Sequence, residues 1–298
     1  MAIAPLRPDE IEQIECNIFW KARPIVRERI DFPWHRDAKK SPTAGRVESS
    51  QALAIEFFGT VSALSSKNTI LETWISALRL NVKGPWKIET EALVPRDLLG
   101  EPRPTQIDAL ALGQGGVIVF ECKFTEQDGG GCSQPSPIGD GAHKGQVQCT
   151  GSYEHQTNPV NGRASRCALT AKGIRYWEHV PTVMDFDPTI EYRPCPFRGG
   201  WYQWMRNLVT AAAMSKRDQI PAAFVVVYAD GPFPMAQKVR SADWQRLDAS
   251  VAGKAVPLRT ASYQYLLKMA LDAATVEERP ILAELETWMN DKYAEVSG

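Results

Sequence analysis

The stretch PTQIDALALGQGGVIVFECK, residues 104–123, decides the fold. Thr105–Leu112 reads as a strand, and Val117–Phe124, opening on four consecutive apolar residues, reads as a second strand covered on both faces. Between them, Gly113-Gln114-Gly115-Gly116 is a turn that lets the two pair as a hairpin. Side chains alternate along a strand, so Glu121 and Lys123 project from one face, and the pairing sets the Asp108 carboxylate beside them. Two carboxylates are hard oxygen ligands suited to Mg²⁺ or Mn²⁺. A neighbouring lysine can orient a water and stabilise charge on a phosphate. The plain alternative is a hairpin with a solvated polar face. The apolar run beside Glu121 argues against it, because a covered Glu-x-Lys pair next to an Asp is costly unless it serves a chemical purpose. The pattern is that of a metal-dependent phosphodiesterase site.

Working outward, residues 8–30 read as one or two short helices, with Ile11, Ile14, Ile18 and Phe19 at helical spacing. A polar linker with Pro33, Pro42 and Gly45 follows over 31–48. Helices are expected from Ser49 to Leu64, with Ser49 or Ser50 as N-cap, and from Thr69 to Leu80. Trp86–Val94 alternates as a strand. After the hairpin, residues 125–198 lose periodicity and fill with Gly, Pro, Ser, Cys and His. Regular structure resumes with a helix over Trp201–Met214 and a buried strand over Ala222–Ala229. Helices near Ala261–Ala274 and Pro280–Tyr293 close the chain, their apolar stripes reading as core and, as a second reading, as a dimer face. The expected fold is α/β, a mixed central sheet flanked by helices. It divides into an N-terminal helical and basic arm (1–47), a core (48–230, insert 125–198) and a C-terminal helical extension packed on that core (231–298).

No apolar run approaches the roughly 20 residues a membrane helix needs, and the N-terminus lacks a signal-peptide apolar core. A cytoplasmic protein with reduced or metal-bound cysteines is expected. The formal net charge of −1 provides no global field for nucleic acid, so any such binding must be local. Lys21–Arg46 carries eight cations, Lys39 and Lys40 among them, interleaved with Trp20, Phe32, Trp34 and His35. Such an arm could track a phosphate backbone; a solvated linker is the equal alternative.

Strand order and the set Asp108…Glu121-Cys122-Lys123 together resemble the PD-(D/E)XK, or restriction-endonuclease-like, nuclease superfamily, over about residues 48–230. The chain departs from the pattern in having Ile107, not proline, before Asp108; the nearest proline is Pro104. The resemblance implies a divalent metal on Asp108 and Glu121, helped by the Cys122 carbonyl, with Lys123 positioning the attacking water. It also implies a further glutamate, for which Glu56 is favoured over Glu48 and Glu91. A polar residue from the following helix completes the set: Gln203 is preferred to Gln148, with Arg206 a phosphate binder. DNA is the substrate the family implies, and a role in defence or repair is typical. A catalytically silent binding module, or a hydrolase of a small nucleotide, is the alternative. The insert holds Cys132, Cys149, Cys167 and Cys195, four of the six cysteines, with His143, His155 and His179. A structural Zn²⁺ or iron–sulfur cluster could organise it, but the Cys-x-x-Cys spacing is missing and scattered buried thiols are the plainer reading.

Overall fold

The structure, a computed structural model, describes residues 5–28 and 34–298. Arg29 and Phe32 of the basic arm and Pro33 of the linker lie outside these described residues. In chain order the helices are α1 (Pro8–Cys16), α2 (Arg23–Glu28), α3 (Ser50–Ser62) and α4 (Lys67–Ala77). Strands β1 (Lys83–Val94) and β2 (Thr105–Lys123) follow. The insert contributes only β3 (Gln156–Thr157), β4 (Ala164–Ser165), α5 (Ala168–Ala171) and α6 (Tyr176–Val183). Then come α7 (Tyr202–Asp218), β5 (Ala222–Tyr228), α8 (Pro234–Lys238), α9 (Ala242–Val251), β6 (Leu258–Ser262), α10 (Tyr263–Ala273) and α11 (Arg279–Ser297). The central sheet has the order β1-β2-β5-β6, antiparallel at β1–β2 and parallel elsewhere.

β2 differs from the two separate strands the sequence predicts. Strand pairing runs unbroken through the expected turn, 19 residues in all, with β1 beside Thr105 to Gly115 and β5 beside Val117 to Lys123. Were β2 straight, Asp108 and Cys122 would stand about 45 Å apart, at about 3.3 Å per residue. Instead the Cys122 amide donates to Asp108 Oδ2 at 2.6 Å, so the stretch doubles back around Gly113–Gly116. A Cβ on Gly113 would lie 2.5 Å from the Lys83 carbonyl oxygen, which explains a glycine where the turn meets the start of β1. Ala109, Ala111, Ile118, Phe120 and Cys122 join one core cluster, while Leu110, Val117 and Val119 join the other. Asp108 stands two residues from Leu110, and Glu121 and Lys123 two and four from Val119, so all three share the second face.

The first cluster lies under α3, α4, α10 and α11; the second lies under α6, α7 and α9. α3 starts where the Ser49 side chain accepts from the Ala52 amide, and it is buried from Gln51 to Val61. It is enclosed because Phe57 and Phe58 face the sheet while Ala52 and Ile55 face the N-terminal arm. Full burial of each such phenylalanine contributes about 2–3 kcal/mol. The stripes of the last two helices are core: Leu266, Leu267, Leu282, Leu285 and Met289 all enter the first cluster. β6 was not legible, because Leu258-Arg259-Thr260-Ala261-Ser262 is short and mixed in polarity, as an edge strand can be. Among the described residues no helix is long and apolar enough to cross a membrane.

Candidate active site

The site forms where the end of β2 meets the start of α7. The loop after β2 fixes that meeting: the Tyr202 and Gln203 amides donate to the carbonyls of Gly130 and Gly129 at 3.0 and 2.8 Å. These bonds satisfy first-turn donors that a helix leaves open. Gly129 is tightly held, since a Cβ there would come within 2.8 Å of the Trp204 ring. Gln203, Arg206 and Asn207, at i, i+3 and i+4, therefore share one face of α7 turned to β2.

Lys123 Nζ donates to Glu121 Oε1 at 2.6 Å and to Gln203 Oε1 at 2.9 Å. The second oxygen of Glu121 accepts from Asn207 Nδ2. Glu121, Lys123 and Asn207 are buried; Asp108 is partly open to a cleft of about 470 Å³ that Glu121, Gln203 and Arg206 also line. Burial pushes the Asp108 carboxyl up to about 8, with the neighbouring Glu121 charge adding to the rise and Lys123 opposing it. Burial works against the Lys123 ammonium, but Glu121, Glu126 and Asp108 outweigh it and raise its pKa, so it stays charged. Arg206 Nε is buried without a hydrogen-bond partner, while its guanidinium lies 6.0 Å from the Tyr202 ring.

Asp108, Glu121, Lys123 and Gln203 thus stand together. Cys122 enters through its backbone only, because its thiol lies on the opposite face beside Tyr263. Glu56 is not brought to the set: buried under α11, its Oε2 accepts from Lys292 Nζ at 2.8 Å and Trp288 Nε1 at 2.9 Å. Of the alternatives, Glu91 accepts from Gln106, and Gln148 accepts from Asn158 at 3.1 Å. Lys39 and Lys40 are exposed on the arm and do not line the cleft, although His35 of the same arm does. Arg27, Arg36 and Arg46 of that arm pair with Glu15, Glu10 and Asp37. Asn207 and Glu126 were missed as site residues. Asn207 could have been found from its i+4 spacing to Gln203. Glu126 accepts from the Phe124 amide at 2.9 Å and from Ser50, a partner remote in sequence.

Among the described residues no group of three or more His, Cys, Asp or Glu side chains is placed to hold a metal ion. Asp108 and Glu121 nonetheless fit a hard divalent cation: two carboxylates face one cleft, and burial and the Glu121 charge push the Asp108 carboxyl up, a cost that a cation between them would relieve. Mg²⁺ keeps several waters and takes one or two carboxylates, so the short side-chain set suits it. Cys132, Cys149, Cys167 and Cys195 are free thiols lining one small cavity in the insert, which shares the walls Gln134 and Leu169 with this cleft.

A family model described as a restriction endonuclease associating with ARP matches residues 6–294. The chain belongs to that family. The restriction-endonuclease-like resemblance read from the sequence is therefore shown, the match extends beyond the 48–230 expected for it, and the family suggests a nuclease. No curated protein and no solved structure shows a significant match.

Proposed function

We propose that the chain is a divalent-metal-dependent nuclease that hydrolyses phosphodiester bonds of DNA, in defence or repair. The observation that carries this reading is the joined set Asp108, Glu121, Lys123 and Gln203 at a cleft on a restriction-endonuclease-like sheet. When bound, Mg²⁺ or Mn²⁺ supplies charge on the phosphate and a more acidic water. Asp108 and Glu121 hold it, with the Cys122 carbonyl as the third donor the family implies. Lys123, kept as an ammonium, neutralises developing charge and orients the attacking water rather than taking its proton. Gln203 and Asn207 hold Lys123 and Glu121 in register. Arg206, with an unused donor at the cleft, grips a phosphate oxygen.

The test is incubation of plasmid and single-stranded DNA with Mg²⁺, Mn²⁺ or EDTA, beside Lys123→Ala. Cleavage is expected with metal alone, falling by about 10²–10³-fold or more in the variant. A folded wild-type protein that binds DNA but cuts neither form with either metal would overturn the enzyme in favour of a binding module.

A further inference from the structure

We propose that Cys132, Cys149, Cys167 and Cys195 form a single-ion, all-thiolate zinc site that holds the insert together. The four residues come from separate turns of the chain, yet they line one enclosed space of about 20 Å³. That is the scale of one bound water or ion. None of the four is in a disulfide. The remaining wall includes Ala168, Leu169 and Phe197, and neither carboxylate nor histidine contributes, so the donor set is sulfur alone. Tetrahedral sulfur sets of this kind select zinc among common single ions.

The backbone around the thiols supports the assignment. The Gly151 amide donates to Cys149 Sγ at 3.3 Å, and the backbones of Gln134 and Phe197 hydrogen-bond to Cys132 and Cys195. In each case the donor lies two residues after the cysteine and favours anionic sulfur, against the burial that pushes all three thiols up in the absence of a cation. Gly151 sits at φ +86°, a conformation L side chains rarely adopt, and its carbonyl accepts from the Cys195 amide at 2.9 Å. Two of the cysteine turns are thereby tied to each other. The insert has few ladder or helix bonds of its own, with β3 and β4 two residues long and α5 four. A metal staple is one solution for such a segment. As their side chains stand, the four thiols are not placed to hold an ion, so the site forms only when they turn inward. Binding therefore requires rotation about their Cα–Cβ bonds toward the usual Zn–S distance of about 2.3 Å.

This assignment is independent of the nuclease reading. The first experiment is metal analysis of the full chain purified without chelator, beside Cys16→Ser and Cys167→Ser. About one zinc per chain is expected in the wild type and in Cys16→Ser, whose thiol is exposed on α1, and none in Cys167→Ser. Should Cys167→Ser fail to fold, the wild type is stripped of metal and reloaded with Co²⁺, whose visible tetrahedral thiolate absorption reports the same ligands. Wild-type protein that contains no zinc and takes up neither Zn²⁺ nor Co²⁺ overturns the site. So does equal reactivity of the four insert thiols toward a thiol reagent with and without zinc. A brown iron–sulfur chromophore would replace the single ion with a cluster and equally overturn the proposal.

Discussion

At the residue scale, the most telling group is Asp108, a carboxyl held up to about 8 by burial and by Glu121. Its folded pKa lies above its ordinary value of 3.8, so the folded chain keeps a proton that the unfolded chain has released. Stability from this group is complete below about pH 4 and is lost as pH rises toward 8. In EDTA, the Tm should therefore fall between pH 5 and pH 8.5, and Asp108→Asn should flatten that fall while abolishing cleavage. The expected gain for the variant at pH 8 is on the order of 2 kcal/mol, since cleft water screens part of the effect. Thermal denaturation across that pH range decides it; a wild-type slope unchanged in the variant would show that Asp108 is not the group concerned. The proximity of Asp108, Glu121 and Lys123 was legible because it depends on strand alternation and one glycine-rich turn. The position of Asn207 on the Gln203 face was legible from its i+4 spacing, but its partner Glu121 was not, nor was Glu126 with its partner Ser50, because a local pattern carries no record of which elements dock.

At the element scale, α3 and α11 are joined by a buried ion pair, Glu56–Lys292, in which Lys292 Nζ also donates to the Asn17 carbonyl at 2.9 Å. Neither side chain is more than 4% exposed. The periodicity of α3 was readable, but periodicity says only that a residue is inside, not which opposite charge meets it, so Glu56 looked available for a metal. Lys292→Met should destabilise by about 3–5 kcal/mol, because it strands a buried carboxylate. Adding Glu56→Leu to Lys292→Met should recover most of that loss. A urea midpoint comparison of the two single variants and the double measures the coupling; additive losses would mean the pair is not the linkage. The strand β6 illustrates the same limit at the sheet edge, where a short mixed sequence becomes a strand because β5 offers it parallel partners from Phe224 to Tyr228.

At the scale of the whole molecule, charge is balanced and the basic arm spends three of its arginines on nearby carboxylates. For the DNA binding proposed above, this leaves fewer free cations for phosphate contacts, and a shallow dependence on salt is expected. Arg206→Ala is expected to weaken binding to DNA of any sequence and to reduce the slope of log K against log salt by about 1. Fluorescence anisotropy over a salt series checks this, and an unchanged slope would remove Arg206 from the phosphate contacts. The overall α/β layering was readable from the sequence, since long periodic segments such as α7 and buried runs such as β5 announce themselves. The insert was not, because its order comes from side chains that meet across loops. A further consequence attaches to the clasp between α3 and α11, whose two charges are 236 positions apart. At about 5–20 residues per second of synthesis, Lys292 is made roughly 10–50 s after Glu56. Throughout that interval the nascent chain carries an acid that no folded core can enclose, so ribosome-bound or prematurely terminated copies should be held open for chaperones and proteases until the final helix arrives.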